Sequence, residues 1–481
     1  MLKPQFQLRR CLVFDLGAGS GRAMLAELAH GLLTLKEVHR FDGLLIQRAD
    51  GPHWDAKRLL LQVEESLRRF SELGFPPDSI GVDSWGLDYA LLDKSGRLMG
   101  EPYQYRHKRW ERGRADCVVS PRELFLLTGA QDLPMKTLYQ LIDECRASPT
   151  RIRMATSLLM IADLVTWHLT GQARAEITLA GTSGMLDRTR TEWCVELCER
   201  VGIPPRLLAP LIEPGTRLGL LRRRFGARFG WGSVPVIAVA AHDTASAVAA
   251  LPLSGDVGFL ICGSWLLLGL EEPIALFDES VQDMGFGYES GLDGRAILVK
   301  SLNGLHLIQK LKQAWAQHSG HDVEYASIAE LASQAREDET TVIVDTTDPI
   351  FFDPPNIIEA IQDYCARNNF GQLNGLGSLA LALYCGIAEE VAKAVASLRA
   401  SGREIATLIL CGGGVQDRTL CQLIADLSGC EIQAGPVEAS ALGNALVQLL
   451  GLGAIDSLQA GRDLVLHSVE FHRYLPISNS R

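Results

Sequence analysis

This sequence predicts a two-domain α/β fold in which one β-meander/helix unit occurs twice. Three observations carry that reading. At 481 residues the chain is too long for a single hydrophobic core. Strand-like apolar runs broken by small residues occur in both halves, at Gly17–Gly21 and at Cys262–Ser264. In each half an amphipathic helix and a further strand follow the broken run, which is the grammar of a layered α/β unit.

Taken in order, Cys11–Leu16 is apolar around one acid, Arg22–Ala29 returns after a glycine-rich tip, and Leu33–Phe41 follows the turn at His30-Gly31. Residues 55–73 have helical period, with Leu59, Leu60, Val63, Leu67 and Phe70 on one face and Gly74 as the stop. Ser79–Leu92 reads as one strand. Residues 104–235 are mostly helical in pattern. In the second half, Gly258–Leu270 is the broken strand pair and Leu379–Leu398 an amphipathic helix. Strand Thr407–Leu410, helix Arg418–Leu427 and strand Glu431–Ala434 follow. A boundary is expected near residues 243–256, dividing the chain into domains 1–247 and 248–481. Glycine-rich tips facing each other would leave a cleft between them.

Composition narrows the function classes. The formal charge of −11 disfavours nucleic acid or an anionic membrane as partner. A local nest of backbone N–H groups still binds phosphate whatever the net charge. The eleven cysteines include no Cys-x-x-Cys pair, and several sit in apolar runs. They read as reduced structural thiols, as expected of a cytoplasmic protein. The first fifteen residues lack a signal-peptide core, and no segment offers about 18 uncharged apolar residues for a membrane span.

Four motifs carry chemistry. Asp15–Arg22, DLGAGSGR, places small residues between two strands, where backbone N–H groups approach a phosphate and the acid holds magnesium. It fits neither the Walker nor the Rossmann pattern, and a plain glycine hairpin is the alternative. In Ile237–Val248, IAVAAHDTASAV, a buried strand ends at His242-Asp243-Thr244 and a small-residue helix begins. Asp243 is either a general base at the mouth of a cleft or a helix N-cap. Gly81–Tyr89, GVDSWGLDY, offers Asp83, Trp85 and Asp88 as carboxylates and an aromatic wall for a sugar, or as core and turn residues. Leu408–Gln416, LILCGGGVQ, and Gly435–Asn444, GPVEASALGN, present glycines and a helix start that could cover a nucleotide.

In this order and over residues 11–470, these motifs resemble the FGGY family of carbohydrate kinases. The resemblance implies an actin-like (ribonuclease H-like) ATPase fold with the duplicated unit and an interdomain cleft. The strings HDTASAV and GPVEAS are specific, and the resemblance is strongest to the family's L-rhamnulose-phosphorylating members. It implies ATP and Mg2+ as cofactors and a ketose substrate phosphorylated in line at its carbon-1 hydroxyl. Asp243 would be the proton acceptor, with Gly86, His242, Thr244 and Ser301 at sugar-contacting positions. Ala18, Gly19, Ser20, Gly21 and Arg22 would cradle the ATP phosphates, Ser264, Gln309 and Gly413 would complete the nucleotide site, and Asp15 would lie near the magnesium. The N-terminal domain would bind sugar and phosphate and the C-terminal domain the nucleotide, in a monomer or homodimer without nucleic-acid or membrane partners.

Several positions depart from the L-rhamnulose pattern. Ser264 replaces a threonine, His107 a carboxylate, Met135 and Lys136 a phenylalanine and an asparagine, and Ser301 and Asp417 asparagines. The catalytic pieces are intact and the pocket pieces differ. That leaves open another sugar, such as L-fuculose, a pentulose or a furanone, or a catalytically silent sensor of sugar or nucleotide.

Overall fold

The computed structural model describes residues 7–338, 342–352 and 354–477. Internal contacts separate two compact units. Unit 1 comprises Met1–Pro252, Glu271–Leu298 and Ala439–Ser468; unit 2 comprises Leu253–Leu270, Val299–Glu438 and Val469–Arg481. The chain crosses from unit 1 to unit 2 after Pro252 and returns to unit 1 twice, at Glu271 and at Ala439.

Unit 1 begins with the meander β1 (Arg9–Leu16), β2 (Ser20–Ala29) and β3 (Leu32–Asp42). Cys11–Leu16 are all buried, as expected of a strand covered on both faces. Helix α1 (Ala56–Ser71) starts where the Asp55 carboxylate accepts the Arg58 N–H, and it buries Leu59, Val63, Leu67 and Phe70 along one stripe. β4 (Ser79–Ser84) follows, buried at every residue. β5 (Arg217–Leu220), β6 (Pro235–Ile237) and helix α2 (Asp243–Ala250) complete the frame. The sheet order is β5-β6-β4-β1-β2-β3, with β4 parallel to both β1 and β6.

The single strand expected over Ser79–Leu92 is two strands. Pairing stops at Ser84, and Tyr89–Asp93 forms a separate two-stranded antiparallel sheet with Ala155–Met160. Between them Leu87 holds φ 76°, a left-handed conformation costing about 1–2 kcal/mol for an L-residue. Its carbonyl accepts the Thr137 hydroxyl at 2.7 Å, and its N–H reaches Thr182 Oγ1 at 3.3 Å.

The helix Ala439–Gly451, from the last return, packs on β1, β4 and α2. A Cβ at Gly81 would stand 2.4 Å from Asn444 Oδ1, and one at Gly443 would stand 1.6 Å from the Ser246 carbonyl. Both glycines permit close backbone approach. The motif GPVEASALGN therefore divides: Gly435–Glu438 belong to unit 2, while Ala439–Asn444 start a helix beneath α2 in unit 1.

Unit 2 repeats the arrangement. β7 (Val257–Cys262) and β8 (Trp265–Glu272) form an antiparallel hairpin, and β9 (Ala296–Asn303) continues that side. Helix α3 (Gly375–Ala400) spans 26 residues and precedes β10 (Thr407–Cys411), which lies parallel beside β7 just as β4 lies beside β1. Helix α4 (Arg418–Ser428) and the parallel strand β11 (Glu431–Ala434) follow. Replacing Gly443 by alanine is expected to cost about 1–3 kcal/mol or more through backbone overlap with Ser246. Urea unfolding checks this, and an unchanged midpoint would show that the two helices do not touch there.

Candidate active site

Three carboxyl groups converge at the carboxyl ends of the parallel strands in unit 1. β1 and β4 run with Asp15 opposite Asp83, and beyond β6 the chain pairs His242 with Ser84. Adjacent strands are about 4.8 Å apart, so Asp15, Asp83 and Asp243 fall in a row where open α/β sheets bind ligands.

Asp83, 0 % exposed, is the innermost. Its Oδ2 accepts Asn444 Nδ2–H at 2.6 Å, Asn444 Oδ1 accepts from Gln448 at 2.7 Å, and Gln448 Oε1 accepts the Ser79 hydroxyl at 2.8 Å. Burial, then the neighbouring Asp15 charge, push the Asp83 carboxyl well above the usual carboxylate range against the Asn444 bond.

Asp15 pairs across the hairpin with Arg22, whose Nη2 lies 2.5 Å from Oδ2. Between them Ala18, Gly19 and Ser20 form the tip, closed by Gly17 N–H donating to Ser20 O at 3.0 Å. A Cβ at Gly21 would strike the Phe41 ring at 2.4 Å. The phosphate-cradle residues read from the sequence are thus one compact turn beside Asp15.

Asp243 is the first residue of α2, and His242 occupies the N-cap position. The Asp243 Oδ1 accepts the Thr244 N–H at 2.7 Å and the Thr244 hydroxyl at 3.4 Å. Its side chain keeps 33 % exposure and lies 3.3 Å from His242 Nε2. Burial raises its pKa, and His242 opposes that rise. On the other side of the imidazole, Nδ1 stands 3.1 Å from Glu289 Oε2, out of line for a hydrogen bond. Burial alone would lower the imidazole pKa, but Glu289 and then Asp243 outweigh it and the net shift is upward.

Backbone bonds hold the approach to Asp243. Ser84 N–H donates to Ala241 O at 2.8 Å, Ala241 N–H to Glu176 Oε2 at 2.9 Å, and His242 N–H to Thr178 Oγ1 at 3.2 Å. Burial pushes Glu176 to about 7, while the hydrogen bonds to Thr178 and the other donors pull it down. Gly86 lies against Thr182, whose Oγ1 would be 2.8 Å from a Cβ there, and Thr182 O accepts the Lys136 ammonium at 3.2 Å. Lys136 is 2 % exposed. Burial lowers its pKa to about 8, and Glu289 opposes the shift.

The sugar wall expected from Trp85 and Asp88 is a core arrangement. Trp85 packs on Trp54 with ring centroids 4.6 Å apart, and both indole N–H groups donate to Asp88 Oδ2, at 2.9 and 2.6 Å. Burial consumes both surfaces. His107 is likewise buried against Gly51, Tyr103 and His53.

In unit 2, Ser264 is exposed at the β7–β8 turn, where Ser264 O accepts His306 N–H at 3.1 Å and Gly263 O accepts Leu305 N–H at 3.2 Å. Gln309 is one helical turn on, with its N–H on Leu305 O at 2.9 Å. Gly413 is exposed beside Gly414, whose Cβ position lies 2.6 Å from the Cys262 side chain. Ser264, Gln309 and Gly413 therefore surround one turn, while Ser301 stands on β9. Asp417 caps α4, accepting Leu420 N–H at 3.0 Å.

Residues 10–250 match the N-terminal domain, and residues 258–452 the C-terminal domain, of the FGGY family of carbohydrate kinases. The rhamnulokinase of Pectobacterium atrosepticum is 35% identical, covering 98% of this chain and 94% of its own length. That of Yersinia pestis is also 35% identical, over 98% and 96%. The chain belongs to the FGGY family of carbohydrate kinases. Its actin-like fold matches the gluconate kinase of Lactobacillus acidophilus (TM-score 0.80, 16% identity, 98% and 94% covered). It also matches the glycerol kinase of Plasmodium falciparum (TM-score 0.79, 14% identity, 98% and 94% covered). At such identities those two likenesses establish the fold alone. The sequence reading of an FGGY sugar kinase is therefore correct.

Two residues at this kinase's site were not read from the sequence. Asn444 is hidden because its partner Asp83 is 361 positions away. Glu289 shows only as an acid in the short strand Gly287–Ser290. Among the described residues no group of three or more ligands would hold a metal alone. Magnesium bound with a nucleotide uses one or two carboxylates and takes its other oxygens from water and phosphate. Asp15, beside an Asp83 Oδ1 that receives no donor, fits that chemistry. No helix among the described residues is long and apolar enough to cross a membrane.

Burial pushes the Asp88 carboxyl to about 7, with the Trp54 and Trp85 bonds opposing. The unfolded chain releases that proton near 3.9. The native state thus retains a proton across the window between the two values, and stability falls as pH rises through it. Asp88→Asn is expected to flatten that slope, measured by urea unfolding at pH 4.5 and 7.5. An unaltered slope would mean that Asp88 is ionised in its indole pocket.

Proposed function

We propose that this kinase transfers the γ-phosphoryl group of ATP to the carbon-1 hydroxyl of a ketose, L-rhamnulose foremost, with Asp243 as general base. The observation that carries the proposal is the strand register that sets Asp243 in one row with Asp15 and the Arg22 hairpin. The full-length likeness to rhamnulokinases supports the choice of sugar.

In this mechanism residues 1–247 serve sugar and phosphate, and residues 248–481 serve the nucleotide and add further contacts to the sugar. Backbone N–H groups of Ala18–Gly21 cradle the phosphates, and Arg22 turns its guanidinium from Asp15 to the charge of the transferring group. Ser264, Gln309 and Gly413 hold the nucleotide. Gly86, His242, Thr244 and Ser301 orient the sugar. When bound near Asp15, magnesium neutralises charge on the phosphate oxygens. Asp243 accepts the hydroxyl proton as the new phosphorus–oxygen bond forms. Its partly exposed carboxylate reaches solvent, as a base that meets a substrate must.

A different sugar is the second reading, and Lys136 favours it. This buried ammonium supports Thr182 directly under Gly86, so the floor of the proposed pocket differs from the L-rhamnulose pattern. A panel of L-rhamnulose, L-fuculose and pentuloses, followed by ADP release, separates the two. Asp243→Asn is expected to lower turnover of the best panel sugar by about 10²–10⁴-fold while ATP binding persists. Near-normal turnover by that variant would remove Asp243 from the role of base.

A further inference from the structure

We propose that Glu289 is a specificity-determining residue of this kinase, a carboxylate that accepts a hydrogen bond from a secondary hydroxyl of the sugar. The proposal rests on Asp243 being the base in the reading above. Glu289, His242 and Asp243 form a file: Oε2 of Glu289 is 3.1 Å from Nδ1, and Nε2 is 3.3 Å from Oδ1 of Asp243. Glu289 thus lies one imidazole ring farther from the transfer than the base does. A hydroxyl that it binds sits away from the one phosphorylated.

Three observations support an open acceptor at this point. The Glu289 side chain keeps 16 % exposure, and its Oε2 is buried without a hydrogen-bond partner among the described residues. The carboxyl is held below the usual carboxylate range although burial raises it, because His242, Lys136 and Arg190 surround it with positive charge. Neither buried cation spends itself on the carboxylate. Lys136 donates to Thr182 O, and Arg190 donates to Thr128 O at 3.3 Å and to Tyr288 O. A buried anion whose neighbours balance its charge without filling its lone pairs is an acceptor in want of a donor.

The strand carrying Glu289 is also fixed. Tyr288 N–H donates to Gly129 O at 2.7 Å, and a Cβ at Gly287 would fall 2.1 Å from Gln131 N. Ser290 packs on Gly181 of the helix Ile177–Thr182. A carboxylate on so rigid a support discriminates between hydroxyl positions, because it cannot follow a misplaced one.

Isothermal calorimetry on the full chain tests the assignment with the panel sugar that binds best and with its singly deoxygenated analogues. Glu289→Gln is expected to weaken the parent sugar about 10- to 100-fold, with ATP affinity unchanged. One analogue should bind wild type that much more weakly than the parent does, yet bind the variant as well as the parent does. If each deoxygenation carried the same penalty in wild type and variant, Glu289 would touch no hydroxyl and the proposal would fall. Glu289→Asp, which shortens the reach but keeps the charge, should retain the cationic surroundings and lose the discrimination. Sugar binding without sugar-dependent ADP release would overturn the kinase reading and leave Glu289 judged by its binding data. A wild-type protein that binds no panel sugar would overturn both.

Discussion

β4 runs parallel between β1 and β6, and the charge arrangement of unit 1 follows from that pairing. Parallel register sets the carboxyl ends of all three strands on one edge, so the acid closing each strand becomes a neighbour of the next. Three carboxylates so close would repel strongly if all were ionised. The fold relieves this in separate ways. Arg22 reaches across the hairpin to Asp15, Asn444 donates to Asp83, and His242 lies beside Asp243.

The helix Ala439–Gly451 has a second task in this arrangement. Asn444 and Gln448 enter the sheet over Gly81, carrying hydrogen bonds from Ser79 to Asp83 through a core that water does not reach. The same helix supports α2 at Gly443, directly below the turn that presents Asp243. One element thus satisfies the innermost acid and positions the outermost. The Glu176–Thr178 pair completes the hold on the outer acid by taking the two amides that lead into it.

Much of this was legible in the sequence. Amphipathic period located α1 within two residues at either end, and the run LILC before three glycines marked β10. The hairpin DLGAGSGR and the strand-to-helix turn at His242-Asp243 appear where their small residues implied. What was not legible depends on tertiary contact. The break after Ser84 is imposed by Thr137 and Thr182, which hold Leu87 in a conformation that its own type disfavours. The fate of Trp85 was decided by Trp54 and Asp88, since an indole with a buried partner for its N–H belongs to a core. Glu289 and Asn444 reach the site on late returns of the chain to unit 1, which local periodicity does not encode.

The central claim is that Asp243 meets the attacking hydroxyl at the end of this row of acids. A crystal structure of the full chain with the best-bound ketose, Mg-ADP and an aluminium fluoride mimic of the transferring phosphoryl group tests it most directly. The account predicts the attacking oxygen within about 3.2 Å of an Asp243 carboxylate oxygen, in line with the metal fluoride. The same oxygen held instead by another acid, with Asp243 bound only to Thr244 and His242, would contradict it.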